Sequence, residues 1–154
     1  MGPLVDTQGG CRRNLPAPMD ALIQGLLLHR FFPALEFNHN RRPLPEDTVP
    51  VPAVSGACML VRRQAHQQID GFDEGFFLHF EDLDYCARMQ QAGWAVMFVP
   101  SVRVVHVQGG CSQQNPDRIS VYKAAGMRRY FTRHPAGQRW LLPLVLLLLR
   151  LRSG

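Results

Sequence analysis

Apolar side chains recur at helical spacing in two segments of the chain. Residues 20–32, DALIQGLLLHRFF, place most of their apolar side chains on one face, with Asp20 as a candidate N-cap and Pro33 ending the helix. Residues 82–93, DLDYCARMQQAG, have acidic residues in the first turn and Gly93 as a C-terminal stop. The pattern therefore predicts a helix in each segment.

Short apolar runs predict strands between and after these helices. The runs are CMLVRR at residues 58–63, WAVMFVP at residues 94–100 and VRVVHV at residues 102–107. Short links join the strands to the helix of residues 82–93. Strand, helix and strand in close succession indicate an α/β fold.

The last part of the chain is basic and then strongly apolar. Residues 118–134 mix apolar and basic side chains in a pattern that predicts an amphipathic helix. Residues 140–149 are apolar but too few to cross a bilayer, which takes about 20 residues. They fit an interfacial helix with basic ends, or the start of a longer element cut off at Gly154. We therefore predict a peripheral membrane contact through residues 118–152.

The proline distribution and the motifs divide the chain into three predicted segments. Residues 1–52 form an irregular proline-rich segment with one short helix, residues 53–115 the α/β part, and residues 116–154 the basic helix and apolar tail. The formal net charge of +5 permits an anionic partner. No helix-turn-helix, RNA-binding aromatic motif or zinc-finger spacing appears, so no nucleic-acid partner is predicted. The four cysteines form no CxxC pair and are interpreted as free thiols.

Acidic residues concentrate in one stretch, GFDEGFFLHFEDLDYCAR at residues 71–88. It holds five of the twelve acids of a chain whose net charge is positive. Carboxylates at a helix start can simply interact with exposed N–H groups. The sequence Asp82-Leu83-Asp84 can also bind a hard cation, and a carboxylate beside aromatic rings can act as a general base. These three interpretations stay open on the residues alone.

Residues 54–112 resemble the acceptor-side half of family 2 glycosyltransferases of the GT-A fold, with the bacterial rhamnosyltransferase-like enzymes as the most similar group. The resemblance rests on five pieces in order: SGACMLVRR, GFDEGFF, FEDLDYCAR, AGW and a strand ending in VVHVQGG. It implies the C-terminal portion of a nucleotide-diphospho-sugar transferase fold, with a mixed sheet flanked by helices. It also implies an inverting enzyme that transfers a sugar, with rhamnose as a candidate, from a nucleotide-sugar to a glycan or lipid-linked acceptor.

The resemblance assigns catalytic roles within the acidic stretch. Asp82 would be the base that deprotonates the acceptor hydroxyl, and Glu81 is the other catalytic candidate. Glu81 and Asp84 would shape the acceptor pocket or hold the helix start. The alternative for these acids is a purely structural role at the start of the helix.

Further residues would bind the substrates or a cation. Ser55, Gly56 and Ala57 would pass close to donor and acceptor, where small residues suit close backbone approach; the alternative is an ordinary turn. His106 resembles a histidine that helps to bind a divalent cation or the diphosphate; the alternative is a hydrogen-bonded histidine at a strand end. Mg²⁺ or Mn²⁺ is the implied cofactor.

The family's nucleotide-binding half has no counterpart before Val54. We therefore expect a C-terminal fragment or truncated product that lacks the donor-binding half, located in the cytoplasm or at the inner face of the cell membrane. One alternative is a non-catalytic membrane-surface or interaction module derived from such an enzyme. Another is a small cation-binding or zinc-binding protein, with Cys86, His106 and Cys111 as conceivable ligands; we expect no stoichiometric zinc.

Overall fold

The computed structural model describes residues 11–25, 43–105 and 116–152. In chain order the elements are β1 (Arg12–Arg13), α1 (Pro18–Gly25), β2 (Val49–Pro50), β3 (Ala53–Val54), α2 (Arg63–Gln68), α3 (Glu81–Gln91), β4 (Met97–Phe98), α4 (Pro116–Arg133), a 3₁₀ turn (Arg139–Leu141) and α5 (Leu142–Arg152). Helices and short strands together confirm the predicted α/β class.

Two antiparallel strand pairs occur in the described part of the chain. Strand β1 pairs with β3, with Arg12 opposite Val54. Strand β2 pairs with β4, with Val49 opposite Phe98. Each pair joins segments far apart in the sequence, so the proline-rich N-terminal residues pack onto the part that carries the acidic stretch.

Helix α3 confirms the second predicted helix, and it is buried on nearly every side. All residues from Asp82 to Met89 are buried. Gly93 ends the helix region with a φ of 85°, a left-handed conformation that glycine adopts readily. Because α3 is surrounded, its acidic first turn is held inside the protein and must find polar partners there.

The core lies where α3 meets the helices from both ends of the chain. Tyr130 and Phe131 of α4 are each 1% exposed and pack with Leu22 of α1 and Val145 of α5. Helix α4 confirms the amphipathic helix predicted at residues 118–134, since its apolar face supplies these core residues. The first and last described helices therefore share one apolar cluster with α3.

The predicted strands are largely wrong. Residues 58–62 form no strand, and the side chain of Leu60 is fully exposed. The strand predicted at residues 94–100 shortens to β4, and residues 102–105 are irregular. A strand needs a neighbouring strand to satisfy its backbone groups. Of the three runs predicted as strands, only the one that contains β4 has such a neighbour within the described residues, namely β2. Residues 106 and 107 lie outside the described residues.

The start of α1 also differs from the prediction. Asp20 is not the N-cap, because the helix begins at Pro18, whose fixed φ suits the first helical turn. The Asp20 Oδ2 atom instead accepts a hydrogen bond of 2.7 Å from the Ala17 N–H. The predicted end at Pro33 lies outside the described residues.

Gly126 lets α4 approach the turn before α3. A Cβ atom at this buried position would lie 2.7 Å from the backbone carbonyl oxygen of His79. Backbone cannot move aside as a flexible side chain would. We expect Gly126→Ala to lower the free energy of unfolding by about 1–3 kcal/mol, although alanine is the better helix former.

Urea denaturation of the two proteins measures this difference. Ala125→Ser is the matched control, because Ala125 is the exposed neighbour in the same helix turn and its change should stay within about 0.5 kcal/mol. A Gly126→Ala protein at least as stable as the wild type would contradict the close contact with His79.

Candidate active site

The predicted base, Asp82, lies at the start of α3 and is 8% exposed. Its Oδ2 atom accepts a hydrogen bond of 3.0 Å from the Gly56 N–H. The same oxygen forms an ion pair with the Arg13 guanidinium. Its Oδ1 atom accepts the N–H of Leu83 at 2.8 Å. The carboxylate is thus fixed by groups from three separate segments of the chain.

The small residues predicted to contact the substrates lie beside this carboxylate. The Ser55 N–H donates to the Cys11 carbonyl at 3.4 Å, and the Ser55 Oγ accepts the Ala57 N–H at 3.3 Å. A Cβ on Gly56 would lie 3.3 Å from the Asp82 Cβ. The structure therefore brings Ser55, Gly56 and Ala57 together with Asp82, and the missing side chain at Gly56 permits the close approach.

Glu81 is half-buried and precedes Asp82 in the chain. Its Oε2 atom is buried and has no hydrogen-bond partner among the described residues. The Nε atom of Arg13, the residue whose guanidinium pairs with Asp82, is also buried without a partner among the described residues. Buried polar atoms without partners are uncommon in folded proteins and call for an explanation, of which a bound polar ligand is one.

Asp84 is fully buried in a network of its own. Its Oδ2 accepts from the Arg88 Nε at 2.7 Å, and its Oδ1 accepts from the His134 Nε2 at 2.8 Å. The Gln91 side-chain amide donates to the His134 Nδ1, which leaves the proton on Nε2. Arg88 also donates to the Ile69 carbonyl at 2.6 Å. The network ties α3 to the segments after α2 and α4.

The charge state of Asp84 follows from these contacts. Burial alone would raise the pKa of the carboxyl, but the hydrogen bonds from His134 and Arg88 and the nearby positive charges outweigh it. The pKa of Asp84 therefore lies below its ordinary value. Of the two roles predicted for Asp84, this burial favours holding the helix start over contacting an acceptor.

Unusual backbone conformations precede Asp82. His79 and Phe80 have φ values of 65° and 69°, a left-handed region that costs side-chain-bearing residues about 1–3 kcal/mol. The Phe80 ring lies 5.6 Å from the Tyr130 ring and packs against the Phe131 ring as well. Packing against α4 thus holds the turn that aims the first residues of α3.

The acidic pair does not fit a divalent cation. Asp82 faces Arg13 and Gly56, while Asp84 faces Arg88 and His134, so the two carboxylates serve different partners. Within the described residues no three acidic, histidine or cysteine side chains come together as a metal site. His106 and Cys111 lie outside the described residues. Asp82 and Asp84 are therefore assigned no role in binding Mg²⁺ or Mn²⁺.

Sequence reasoning missed Arg13, because the Arg12-Arg13 pair has the appearance of solvated surface. Its partner is 69 residues away, and no local signal marks the pairing. We expect Arg13→Gln to lower the free energy of unfolding by about 1–3 kcal/mol, because it leaves the Asp82 charge buried without its cation. In an Asp82→Asn background the same substitution should cost much less.

A double-mutant cycle by urea denaturation checks this coupling. Arg62→Gln is the matched control, because Arg62 is exposed and should change stability by less than about 0.5 kcal/mol. Equal costs of Arg13→Gln in the two backgrounds would show that the ion pair contributes nothing to the site.

Taken together, these contacts define a mixed α/β protein that presents a fixed carboxylate at a helix start beside a turn of small residues, an arrangement suited to deprotonating a hydroxyl. The chain belongs to glycosyltransferase-like family 2, whose family model matches residues 26–132. The helices and small antiparallel sheets are consistent with part of a GT-A fold.

Curated relatives point in the same direction. The chain is 34% identical over 121 residues to a Mycobacterium tuberculosis protein named N-acetylglucosaminyl-diphospho-decaprenol L-rhamnosyltransferase. The aligned region covers 75% of this chain and 39% of the relative. It is also 30% identical over 84 residues to Rhamnosyltransferase WbbL of Escherichia coli. That aligned region covers 52% of this chain and 32% of the relative. These matches confirm the predicted rhamnosyltransferase-like group. No solved structure matches the chain.

Proposed function

We propose that this chain supplies the acceptor side of an inverting family 2 glycosyltransferase. The reaction moves a sugar, with rhamnose favoured, from a nucleotide-sugar to a glycan or lipid-linked acceptor. The observation that carries the proposal is the Asp82 carboxylate, held by the Gly56 N–H at the start of α3. Family membership supports sugar transfer, and the names of the relatives support rhamnose and a lipid-linked acceptor.

The chemistry assigned to Asp82 is proton removal. An acceptor hydroxyl donates its proton to the carboxylate, and its oxygen attacks the anomeric carbon of the donor sugar. The bond from that carbon to the diphosphate breaks, and the nucleoside diphosphate leaves with the electron pair. Attack from the opposite face inverts the anomeric configuration.

The hydrogen-bond pattern leaves room for that hydroxyl. A carboxylate oxygen accepts about two hydrogen bonds, and Oδ1 of Asp82 receives one, from the Leu83 N–H. Oδ2 is already engaged by Gly56 and Arg13. We therefore assign Oδ1 as the proton acceptor and Oδ2 as the anchored oxygen. Arg13 and Gly56 act as positioning residues.

The roles of the other predicted residues follow the geometry. Glu81 is the candidate to bind a second hydroxyl of the acceptor, because its Oε2 atom has no partner among the described residues and can accept a hydrogen bond from that hydroxyl. Ser55 and Ala57 line the turn against which the acceptor would lie. A cytoplasmic location at the inner face of the cell membrane would suit a lipid-linked acceptor and remains a prediction.

A transfer assay tests the proposal. The chain spans 39% of the length of its mycobacterial relative, so we would fuse it to the N-terminal portion of that relative. The folded fusion is incubated with nucleotide-activated L-rhamnose and N-acetylglucosaminyl-diphospho-decaprenol. We expect a product that is heavier by one deoxyhexose unit. No product from a folded fusion, while the whole relative is active, would contradict the proposal.

A further inference from the structure

Helix α5 is apolar on two faces, and only one of them packs against the protein. Leu141 and Val145 are buried in the core, and Leu148 and Leu149 pack against it. This core face repeats every three to four residues, as one side of a helix must.

A second stripe, which we call the outer face, consists of Trp140, Leu144 and Leu147. Their exposed fractions are 73%, 48% and 53%. Spacings of four and three residues align them along one side of the 3₁₀ turn and α5. A helix that is apolar all round is normally buried all round, so this face is expected to have a partner.

The charges around the outer face indicate what that partner is. Arg139 precedes Trp140, and Arg150 is exposed three residues after Leu147. Residues 118–154 contain none of the twelve acidic residues of the chain and eight of its seventeen basic ones. An apolar stripe with basic ends fits a surface that is apolar inside and negatively charged outside, as an anionic lipid bilayer is.

The length of α5 fixes how it would lie. Its eleven residues extend about 16 Å, roughly half the thickness of the bilayer's hydrocarbon layer. Across the described segments, no helix is long and apolar enough to span a membrane. A second copy of the chain fits the outer face less well, because the basic ends of two such helices would repel each other.

We propose that the outer face inserts into the surface of an anionic membrane, with α5 lying in the plane of the interface. Trp140 sits at the level of the headgroups, Leu144 and Leu147 reach the acyl chains, and Arg139 and Arg150 contact lipid phosphates. This docking goes beyond sugar transfer. Vesicle binding needs no donor or acceptor, so its failure and the failure of the transfer assay are separate results.

Co-sedimentation with vesicles tests the proposal on the 154-residue chain. Vesicles of phosphatidylcholine with phosphatidylglycerol should bind the chain, and vesicles of phosphatidylcholine alone should bind it much less. High salt should weaken the binding because it screens the basic ends.

The double substitution Leu144→Gln and Leu147→Gln should weaken binding about tenfold or more, since it removes the inserted apolar surface. Val121→Gln, an equally exposed apolar position on α4, should leave binding unchanged.

The depth of Trp140 gives a second readout. Lipids brominated on their acyl chains should quench the tryptophan fluorescence of the wild type and of Trp94→Phe, and quench that of Trp140→Phe much less. Several results would overturn the proposal: no binding to anionic vesicles, equal losses in Val121→Gln and the Leu144/Leu147 variant, or quenching that persists in Trp140→Phe. A dimer that the Leu144/Leu147 substitutions dissociate without lipid would assign the face to a second copy instead.

Discussion

Replacing Asp82 by asparagine should reduce the turnover of the active fusion by about 10²–10⁴-fold, because it removes the group proposed to take the acceptor proton. Asparagine has nearly the same shape, and its side-chain oxygen can still accept the N–H of Gly56 or Leu83. The substitution therefore removes the basicity of the side chain while it keeps the shape and one of the two backbone hydrogen bonds. Binding of the nucleotide-sugar should be nearly unchanged, since no donor contact is assigned to this carboxylate.

Steady-state kinetics and nucleotide binding measure the two quantities separately. Asp47→Asn is the matched control, because Asp47 is an exposed acid in the loop before β2 and should leave turnover unchanged. Loss of nucleotide binding in Asp82→Asn would point to a role in holding a metal ion or the donor. Turnover within a few-fold of the wild type would remove Asp82 from the mechanism.

The second large effect concerns stability. Asp84→Asn should lower the free energy of unfolding by about 3–5 kcal/mol, because it leaves the buried Arg88 guanidinium without a counter-charge. Such a loss is a large share of the stability of an ordinary domain, which is about 5–15 kcal/mol. Urea denaturation measures it. Combining Asp84→Leu with Arg88→Met should recover part of the stability, since the buried charges are then removed together.

The same carboxylate predicts how stability depends on pH. The pKa of Asp84 is lowered in the folded protein, because its hydrogen bonds from His134 and Arg88 exceed the cost of burial. Its contribution is therefore complete above the unfolded pKa, near pH 4, and is lost as the pH falls through the folded pKa. Acid should destabilise the wild type more steeply than Asp84→Asn. Parallel acid-unfolding curves would contradict this account.

Helices were predictable from the sequence because their signals are local. The acidic first turn and Gly93 define α3, and the spacing of apolar side chains defines α4. The position of Asp82 beside Ser55, Gly56 and Ala57 was accessible through the order of the family-like pieces. The two helix predictions depend on residues close together in the sequence, and the position of Asp82 depends on the family resemblance.

Apart from β4, which lies within the strand predicted at residues 94–100, the strands and the partners of the acids were not predictable. A short apolar run becomes a strand only beside another strand, and residues 58–62 have none. Arg13 reaches Asp82 across 69 residues, and His134 reaches Asp84 across 50. No periodicity encodes such pairings, because they depend on how α4 and β1 pack around α3.

Acceptor binding by the 154-residue chain tests the central claim most directly. Isotope-labelled chain is titrated with a soluble N-acetylglucosaminyl diphosphate analogue of short lipid length, and NMR follows the backbone amide signals. The account predicts binding that shifts the amides of Gly56, Ala57 and Leu83, with little effect from the nucleotide-sugar alone. Binding of the nucleotide-sugar at these amides without any response to the acceptor analogue would contradict an acceptor-side role.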